Sequence, residues 1–443
     1  MTRNQNTPQK DTSTEIKLTE EFAKTIDLLE NTSENYFITG NAGTGKTTLI
    51  KEFKERTEKS VALLAPTGIA ALNLGGQTVH SFFKFPALII SKSLLDGRQN
   101  VSRIYKDIDC IIIDEVSMIR ADVLDGIDQF LRMYGGDKNS AFGGTQVILV
   151  GDPFQLPPVV TETEKPTIDR LYKTPFFFSS HVYVTSQFKT VNLTQCHRQN
   201  DPVFIDILNK VRLGKADAKT LEPLNARLAK PLSKGQRRTN VCLVPTNKAA
   251  NAVNFMELNK LGGAEFVYGA NISGDFPDEK NSIIPRELHL RKGARVMYLR
   301  NTGNLVNGST GTIAIVEKDE IEMKVDQTDE IVSVQKVLVD NVHYTFNKRT
   351  KRIEERVMGR MEQYPLRLAW AITVHKSQGM TFDEAEIDFS RNPFVEGQTY
   401  VALSRCRTLN GLTLTRPITP KDLLVDDRVV EFTKSLNLEL SHK

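Results

Sequence analysis

The 443-residue sequence has little of what would mark a membrane, disulfide-rich or strongly charged protein. Its four cysteines, Cys110, Cys196, Cys242 and Cys406, are far apart, so they indicate neither a disulfide framework nor a CxxC metal pair. Cys110 and Cys242 lie within apolar runs and are predicted to be small core residues, as in a reducing cytoplasm. No apolar run approaches the length of a membrane span, and the polar segment 1–14 has no signal-peptide core.

The excess of one charge sign is also small. Lys and Arg total 58 and Asp and Glu total 54, a formal net charge of +4, so composition alone does not indicate a nucleic-acid-binding protein. Basic residues are dense at 234–238 and 348–360, where a solvated face is the commoner explanation. Any anionic partner must therefore be recognised by a local cluster. The length predicts two or more domains, each with its own core.

The most specific pattern is the phosphate loop GNAGTGKT at residues 40–47, between a strand-like run and a helix-like run. Its glycines would let backbone N–H groups surround phosphate oxygens at a helix N-terminus. Lys46 would reach the β- and γ-phosphates, and the Thr47 hydroxyl would ligate Mg²⁺. The residues predicted to bind the nucleotide are Gly40, Ala42, Gly43, Thr44, Gly45, Lys46, Thr47 and Thr48.

A pair of carboxylates follows the buried strand predicted at residues 110–113. Asp114 and Glu115 would lie just past its C-terminal end, where open α/β sheets bind ligands. Asp114 is the candidate Mg²⁺ ligand, and Glu115 is the candidate base for the attacking water. Such pairs are usually solvated loop residues, but the phosphate loop favours the catalytic interpretation.

Three further polar side chains are catalytic candidates. A strand predicted at residues 147–150 leads to Gln155, whose amide could bind a γ-phosphate or its water. Arg198 and Arg405 could neutralise charge on the transferred phosphoryl group. Most arginines in a chain of this size pair with surface carboxylates, so both assignments depend on the neighbouring motifs.

Short apolar runs at 36–38, 61–65, 110–113 and 147–150 alternate with helical patterns, which predicts a parallel sheet covered by helices. A second α/β pattern begins near residue 191. Strictly alternating residues between 309 and 345 predict a β-rich insertion within it.

The motifs resemble those of superfamily-one DNA helicases of the 5′→3′ branch, and most closely the PIF-type (petite integration frequency) helicases. The matching stretches include GNAGTGKTTL, APTGIAALN, GGQTVHSFF, IIIDEVSM, FGGTQVILVGDPFQLPPV, LTQCHRQ, LAWAITVHKSQGMTFD and GQTYVALSRCRTLNGL. The resemblance implies ATP and Mg²⁺ as cofactors, with Lys46, Glu115, Gln155, Arg198 and Arg405 at a cleft between two motor domains. It also implies that Gly379 lies beside the γ-phosphate.

The implied fold is α/β, with two RecA-like parallel-sheet domains. We expect a disordered tail at 1–15, domain one at 16–190 and domain two at 191–443. A wedge insertion at about 84–105 would belong to domain one, and a β-rich SH3-like insertion at about 301–362 to domain two.

The resemblance also implies that single-stranded DNA crosses both domains. The candidate contacts are Pro66, Thr67, Thr78, His80, Phe82, Phe83, Thr246, Asn247, His375 and Lys376. Phe82 and Phe83 could stack on bases or pack in the core, and their adjacency on a helix predicts that only one is exposed. For His80, DNA contact and a structural role are equally supported.

One position departs from the family pattern. The family commonly has a glutamine that reads adenine near the start of the motor, where this chain has Glu21. The resemblance implies a monomeric, cytoplasmic helicase of a bacterial or phage-infected cell, acting on single-stranded and forked DNA, with guanine quadruplexes as a candidate substrate. The alternatives are a DNA-stimulated translocase that strips proteins and a nucleotide-gated single-strand-binding module.

Overall fold

The computed structural model describes residues 19–86, 88–97, 101, 103–229, 240–276, 284–300, 305, 308–347, 352–390, 392–393 and 395–436. The tail expected at 1–15 and the basic cluster at 234–238 lie outside these ranges. Within them, no helix has the length and apolar character needed to cross a membrane.

The first domain alternates strands and helices as predicted. In chain order its elements are α1 (Glu20–Glu30), β1 (Tyr36–Gly40), α2 (Lys46–Arg56), β2 (Val61–Ala65), α3 (Gly68–Leu74), β3 (Gln77–Thr78), α4 (Val79–Phe83), α5 (Lys92–Leu95), α6 (Ile104–Asp107), β4 (Cys110–Ile113), α7 (Ala121–Tyr134), β5 (Gln146–Val150), α8 (Lys165–Leu171), α9 (His181–Thr185) and β6 (Lys189–Leu193).

The six strands form one parallel sheet in the order β3-β2-β4-β5-β1-β6. Strands β1, β2, β4 and β5 are buried along their whole length, because helices cover both faces of the sheet. Cys110 lies within β4 and is fully buried, as predicted. The carboxyl ends of β1, β4 and β5 meet at one edge, where the phosphate loop, Asp114 and Gln155 follow them.

The second domain repeats this design around a smaller sheet. Its elements are α10 (Pro202–Arg212), α11 (Ala218–Asn225), β7 (Val241–Val244), α12 (Asn247–Asn259), β8 (Phe266–Gly269), β9 (Asn271–Gly274), β10 (Glu287–Leu290), β11 (Arg295–Tyr298), β12 (Thr310–Val316), β13 (Ile321–Val325), β14 (Ile331–Ser333), β15 (Val337–Asn347), β16 (Arg352–Gln363), β17 (Leu366–Leu368), β18 (Ala371–Thr373), β19 (Ala385–Ile387), α13 (Gln398–Leu403), β20 (Leu412–Leu414) and α14 (Asp427–Ser435).

Strands β18-β7-β19-β20 form the second parallel sheet. Cys242 is buried within β7, as predicted. The two parallel sheets confirm the predicted fold class.

The β-rich insertion contains an antiparallel sheet of order β14-β13-β12-β11-β17 and a second sheet of order β15-β16-β9. Its strands run from Phe266 to Leu368, which is wider than the expected 301–362. The outlying strands β8, β9 and β10 have four residues each, and all of β9 is exposed. These strands are therefore too short or too exposed to show the alternation of apolar and polar residues that predicts a strand.

The described residues of the wedge segment, expected at about 84–105, are held against α7 by hydrogen bonds that involve their backbone. The Ile90 amide donates to Asp122 at 2.8 Å, and the Tyr134 hydroxyl donates to the Leu95 carbonyl at 2.6 Å. These bonds fix a segment whose described residues include, as regular structure, only the short helix α5 and the start of α6.

The last helix, α14, returns to domain one, although the sequence boundary assigns it to domain two. The Phe432 ring stacks on Phe178 with centroids 4.1 Å apart and lies 6.0 Å from Phe37. Domain one is therefore completed by a segment from the far end of the described chain.

We predict that Phe432→Ala lowers the free energy of unfolding by about 2–3 kcal/mol, because a partly buried aromatic cluster loses one ring. Urea denaturation followed by circular dichroism would measure it. Phe255→Ala removes an exposed ring (68%) and should change stability by less than about 0.5 kcal/mol. Equal losses in the two variants would contradict the docking role of Phe432.

Candidate nucleotide site

The phosphate loop joins the end of β1 to the start of α2 and needs its glycines. Gly43 and Gly45 have φ of +86° and +80°, in the left-handed region. A Cβ at Gly43 would lie 2.6 Å from the Cβ of Arg198, and one at Gly45 would lie 2.8 Å from the Phe22 ring. The loop is therefore in close contact with α1 and with the segment that carries Arg198.

Lys46 is turned inward along this loop. Its Nζ donates to the carbonyls of Gly40 at 2.7 Å and Asn41 at 2.9 Å. Burial lowers the pKa of Lys46, and the carboxylates of Asp152, Glu115 and Asp114 oppose that shift. The ammonium could exchange these neutral carbonyls for phosphate oxygens.

Thr47 and Asp114 provide two oxygen donors side by side. The Thr47 hydroxyl donates to Asp114 Oδ2 at 3.0 Å, and Asp114 Oδ1 accepts from the Glu115 amide at 2.9 Å. Hydroxyl and carboxylate oxygens suit Mg²⁺, which binds few protein ligands and completes its shell with phosphates and water. The donor set therefore fits a nucleotide-bound Mg²⁺ ion.

Glu115 has the electrostatic environment expected of a base. Burial, and secondarily the charge of Asp114, raise the pKa of Glu115 to about 7, while Lys46, Arg405 and Arg198 oppose the rise. Its backbone is left-handed (φ 52°), a conformation that is rare for a non-glycine residue. Such strain is common where a side chain must be aimed at a reacting group.

Both domains line a single cavity of about 580 Å³ at this edge. It is bounded by Ala42, Gly43, Gly45, Lys46, Thr47, Thr48, Glu115, Gln155, His197, Arg198, Asn200, Gly379, Thr381, Arg405, Arg407 and Thr408. Of the residues predicted to bind nucleotide, Gly40 and Thr44 do not line the cavity. Each of the five predicted catalytic residues does.

The two candidate arginines reach the cavity from domain two and lie close together. Arg405 is almost fully buried, and its guanidinium donates to the Val401 carbonyl at 2.9 Å and the Ser404 hydroxyl at 2.9 Å. Burial, followed by repulsion from Arg198, lowers the pKa of Arg405 to about 9. Two adjacent cations facing Glu115 are suited to the concentrated negative charge of a triphosphate.

Sequence reasoning missed a network that ties domain two to the phosphate loop. The Tyr400 hydroxyl accepts from the Ala42 amide at 2.8 Å and donates to Asp152 at 3.2 Å. Asp152 is fully buried and forms a bidentate ion pair with Arg212. Asp152 stands in the conspicuous GDPFQLPP stretch, but its partners on α10 and α13 could not be inferred from sequence separation.

Glu21 does not face the cavity. Its Oε1 accepts from the Thr194 amide at 3.0 Å and the Thr194 hydroxyl at 3.1 Å. The next residue, Phe22, contacts the loop instead and packs against the His197 ring at 5.9 Å. In this conformation α1 therefore presents an aromatic ring, and not a carboxylate, to the phosphate loop.

The candidate DNA contacts lie on the same edge of both sheets. Pro66 and Thr67 follow β2, Thr246 and Asn247 follow β7, and His375 and Lys376 follow β18. Some of the hydroxyls already cap helices: Thr78 accepts from the Ser81 amide and Thr246 from the Ala249 amide. His80 is half-buried, and burial lowers its pKa, as it does for His375.

The prediction that Phe82 or Phe83 is exposed is wrong. Phe82 is 5% exposed and Phe83 0%. Both rings pack against Tyr105, which also donates a hydrogen bond to the Phe82 carbonyl at 2.6 Å. Helix α4 has only five residues and lies under the wedge segment, so both of its aromatic residues enter the core.

Two parallel-sheet α/β domains that share a phosphate-loop cleft define the class of two-domain nucleotide-driven motor proteins. The profile of the family described as PIF1-like helicase matches residues 17–222. The chain is 34% identical to ATP-dependent DNA helicase Pif1 of Bdellovibrio bacteriovorus, over 95% of this chain and 92% of the relative. The chain belongs to the PIF1-like helicase family.

Solved structures agree with this assignment. Bacteroides sp Pif1 in complex with ADP-AlF4 matches with a TM-score of 0.86 and 34% identity, over 96% of this chain and 98% of that one. Bacteroides Pif1 bound to ssDNA matches with a TM-score of 0.67 and 35% identity, over 95% and 97%. The human relative, ATP-dependent DNA helicase PIF1, is 31% identical over 96% of this chain, which spans only 64% of that relative.

We predict that Glu115→Gln lowers kcat for DNA-stimulated ATP hydrolysis by about 10²–10⁴-fold, because the amide cannot accept the proton of the attacking water. Phosphate release would measure the rate, and oligonucleotide binding should persist. Lys46→Ala should also abolish turnover. Glu20→Gln, on a side chain 82% exposed, is the control. Normal hydrolysis by Glu115→Gln would remove Glu115 from the site.

Arg405→Ala should slow hydrolysis by about 10³–10⁵-fold, as expected for loss of a guanidinium that contacts the transferred phosphoryl group. Single-turnover hydrolysis would measure the chemical step. Arg56→Ala removes an exposed arginine from α2 and serves as the control. Because Arg405 is buried, each melting temperature must be compared, and a near wild-type rate in a folded Arg405→Ala protein would refute the assignment.

Proposed function

We propose that the chain is an ATP-dependent DNA helicase that translocates 5′→3′ along single-stranded DNA and unwinds forked duplexes. The observation that carries the proposal is the single cavity lined by the phosphate loop and Glu115 of domain one and by Arg198 and Arg405 of domain two. A triphosphate bound there would be attracted by both domains at once. Its hydrolysis would remove the charge that holds them together, which is the basis of an opening and closing cycle.

Within this cycle each side chain has a chemical task. Lys46 binds phosphate oxygens, and Glu115 takes the proton of the attacking water, which Gln155 orients. Arg198 and Arg405 neutralise the charge that develops on the phosphoryl group. Thr47 and Asp114 would hold Mg²⁺, and the bound ion would supply further neutralisation of phosphate charge.

DNA would cross the strand ends of both sheets. The loops after β2 and β3 belong to domain one and those after β7 and β18 to domain two, so opening of the cleft would change their separation. TM-scores to Bacteroides Pif1 are 0.86 for the ADP-AlF4 complex and 0.84 for the unliganded protein. They are 0.68 for the complex with ADP-AlF3 and ssDNA and 0.67 for the ssDNA complex. This difference supports a domain rearrangement that accompanies DNA binding.

The relatives support the reaction and the substrate. The Bdellovibrio relative, of which the chain covers 92%, is named ATP-dependent DNA helicase Pif1. A solved structure that is 34% identical to the chain is described as the structural basis for DNA unwinding at forked dsDNA by two coordinating Pif1 helicases. The direction of movement, action on guanine quadruplexes, a monomeric state and a cytoplasmic location remain parts of the proposal.

Unwinding of a fork that carries only a 5′ tail should be much faster than that of a fork with only a 3′ tail. Tails of equal length and sequence, with a fluorophore and quencher at the junction, would report strand separation. Lys46→Ala and omission of ATP are the controls. Preference for the 3′ tail would contradict the proposed polarity, and no ATP-dependent separation would contradict helicase activity.

A second substrate distinguishes a helicase from the alternative, a translocase that strips proteins from DNA. Rapid displacement of streptavidin from a biotinylated single strand, without unwinding of either fork, would favour the translocase. A nucleotide-gated binding module would show neither activity and no DNA stimulation of phosphate release.

A further inference from the structure

Strand β17 carries a cation toward the junction between the β-rich insertion and the second motor domain. In the antiparallel pair of β11 and β17, Arg367 is opposite Met297, whereas Leu366 is opposite Tyr298. Tyr298 and Leu366 belong to the core of the insertion, but Met297 belongs to the core cluster of domain two. Because side chains alternate along a strand, Arg367 lies on the face directed toward domain two.

Arg367 is partly buried and has no counter-charge. Among the described residues, no hydrogen bond or ion pair of its guanidinium is present. Burial lowers the pKa of Arg367, and no carboxylate opposes the shift. By contrast, two other partly buried arginines of the insertion each have an acid: Arg291 pairs with Glu265 at 2.8 Å and Arg295 with Asp326 at 2.6 Å.

A second cation lies close enough to Arg367 for its charge to act on it. The ammonium of Lys376, also partly buried, has its pKa lowered by burial and then by the charge of Arg367. Within the described ranges the Lys376 side chain likewise has neither a hydrogen bond nor an ion pair. Two neighbouring cations that are shielded from water and share no carboxylate are unfavourable unless an anion joins them.

The position of the pair identifies the anion. Lys376 follows β18 and Thr246 follows β7, and these neighbouring parallel strands end at the edge where we propose the single strand crosses. We propose that Arg367, together with Lys376, binds one backbone phosphate of the single-stranded DNA at the junction of the insertion and the second motor domain. This inference rests on the proposed DNA-binding function.

The chemistry of the pair suits a phosphate. A guanidinium can donate two parallel hydrogen bonds to phosphate oxygens, and an ammonium adds a point charge without requiring a fixed geometry. A backbone phosphate is common to all sequences, so the contact would hold DNA of any sequence. It would also bind the insertion and domain two to the same nucleotide.

Salt-dependent binding of a fluorescent oligo-dT strand to the full chain tests the proposal. Arg367→Gln should raise Kd about tenfold, as loss of a charge-assisted hydrogen bond does. It should also reduce the magnitude of the slope of log K against log salt by about 0.7, the value for one phosphate contact on a single strand. Arg367→Lys should restore the slope but only part of the affinity, because it keeps the charge and loses the bidentate geometry.

Arg291→Gln is the matched control, since it removes the same charge from the same insertion at a site with its own carboxylate. It should leave the slope and Kd unchanged. Arg367→Gln should not lower the melting temperature of the DNA-free protein, because an uncompensated cation does not stabilise the fold. An unchanged slope together with a lower melting temperature would overturn the proposal in favour of a structural role.

Melting temperatures measured with inorganic phosphate at fixed ionic strength distinguish a site for a DNA phosphate from a site for a free anion. If phosphate raises the melting temperature of the wild type but not of Arg367→Gln, and the DNA slope is the same in both, the site binds a free anion and the proposal fails. If the wild type itself shows no binding to oligo-dT, the proposed helicase function fails instead. Normal wild-type binding with an unaltered Arg367→Gln variant overturns this inference alone.

Discussion

The buried ion pair between Asp152 and Arg212 is the interaction on which the geometry of the cleft depends. Asp152 is fully inaccessible and Arg212 nearly so, and their bidentate contact joins the end of β5 to α10 across the domain boundary. Removing one partner of such a pair commonly costs about 3–5 kcal/mol, because the other charge stays buried and unpaired. The pair therefore fixes where domain two meets domain one.

The same pair positions the phosphate loop through Tyr400. Asp152 orients the Tyr400 hydroxyl, which accepts from the Ala42 amide, and the Asn41 side chain adds a second bond to Asn209 at 2.7 Å. Tyr400 lies on α13, directly before the segment that carries Arg405. A movement of α13 thus reaches both the loop that binds phosphates and the guanidinium that would respond to them. A small number of side chains therefore links the phosphate loop of domain one to the position of domain two.

The sequence was sufficient for features set by local chemistry. Short-range patterns were recognisable for three features: the glycines of the phosphate loop, the carboxylates after β4, and the strands at 36–38, 61–65, 110–113 and 147–150. Contacts between distant segments were not predictable in this way. The docking of Phe432, the partners of Asp152 and the face of Arg367 depend on tertiary packing. Phe82 and Phe83 show the same limit, because a motif that borders a DNA path does not reveal which of its rings support the core.

The buried and partly buried arginines discussed above fall into two groups, those next to carboxylates and those next to another cation. This difference carries functional information. Arg120, Arg212 and Arg295 are shielded from water beside carboxylates, and each is explained by the fold alone. Arg198 and Arg405 line the same cavity and repel each other, and the charge of Arg367 acts on Lys376 at the junction. Placing like charges together in a shielded site is costly for an isolated protein. The cost is understandable if an anionic partner completes each site, a triphosphate at one and a DNA phosphate at the other. On this argument the two positive clusters, in a chain of nearly neutral composition, correspond to the nucleotide site and to the proposed DNA-phosphate site.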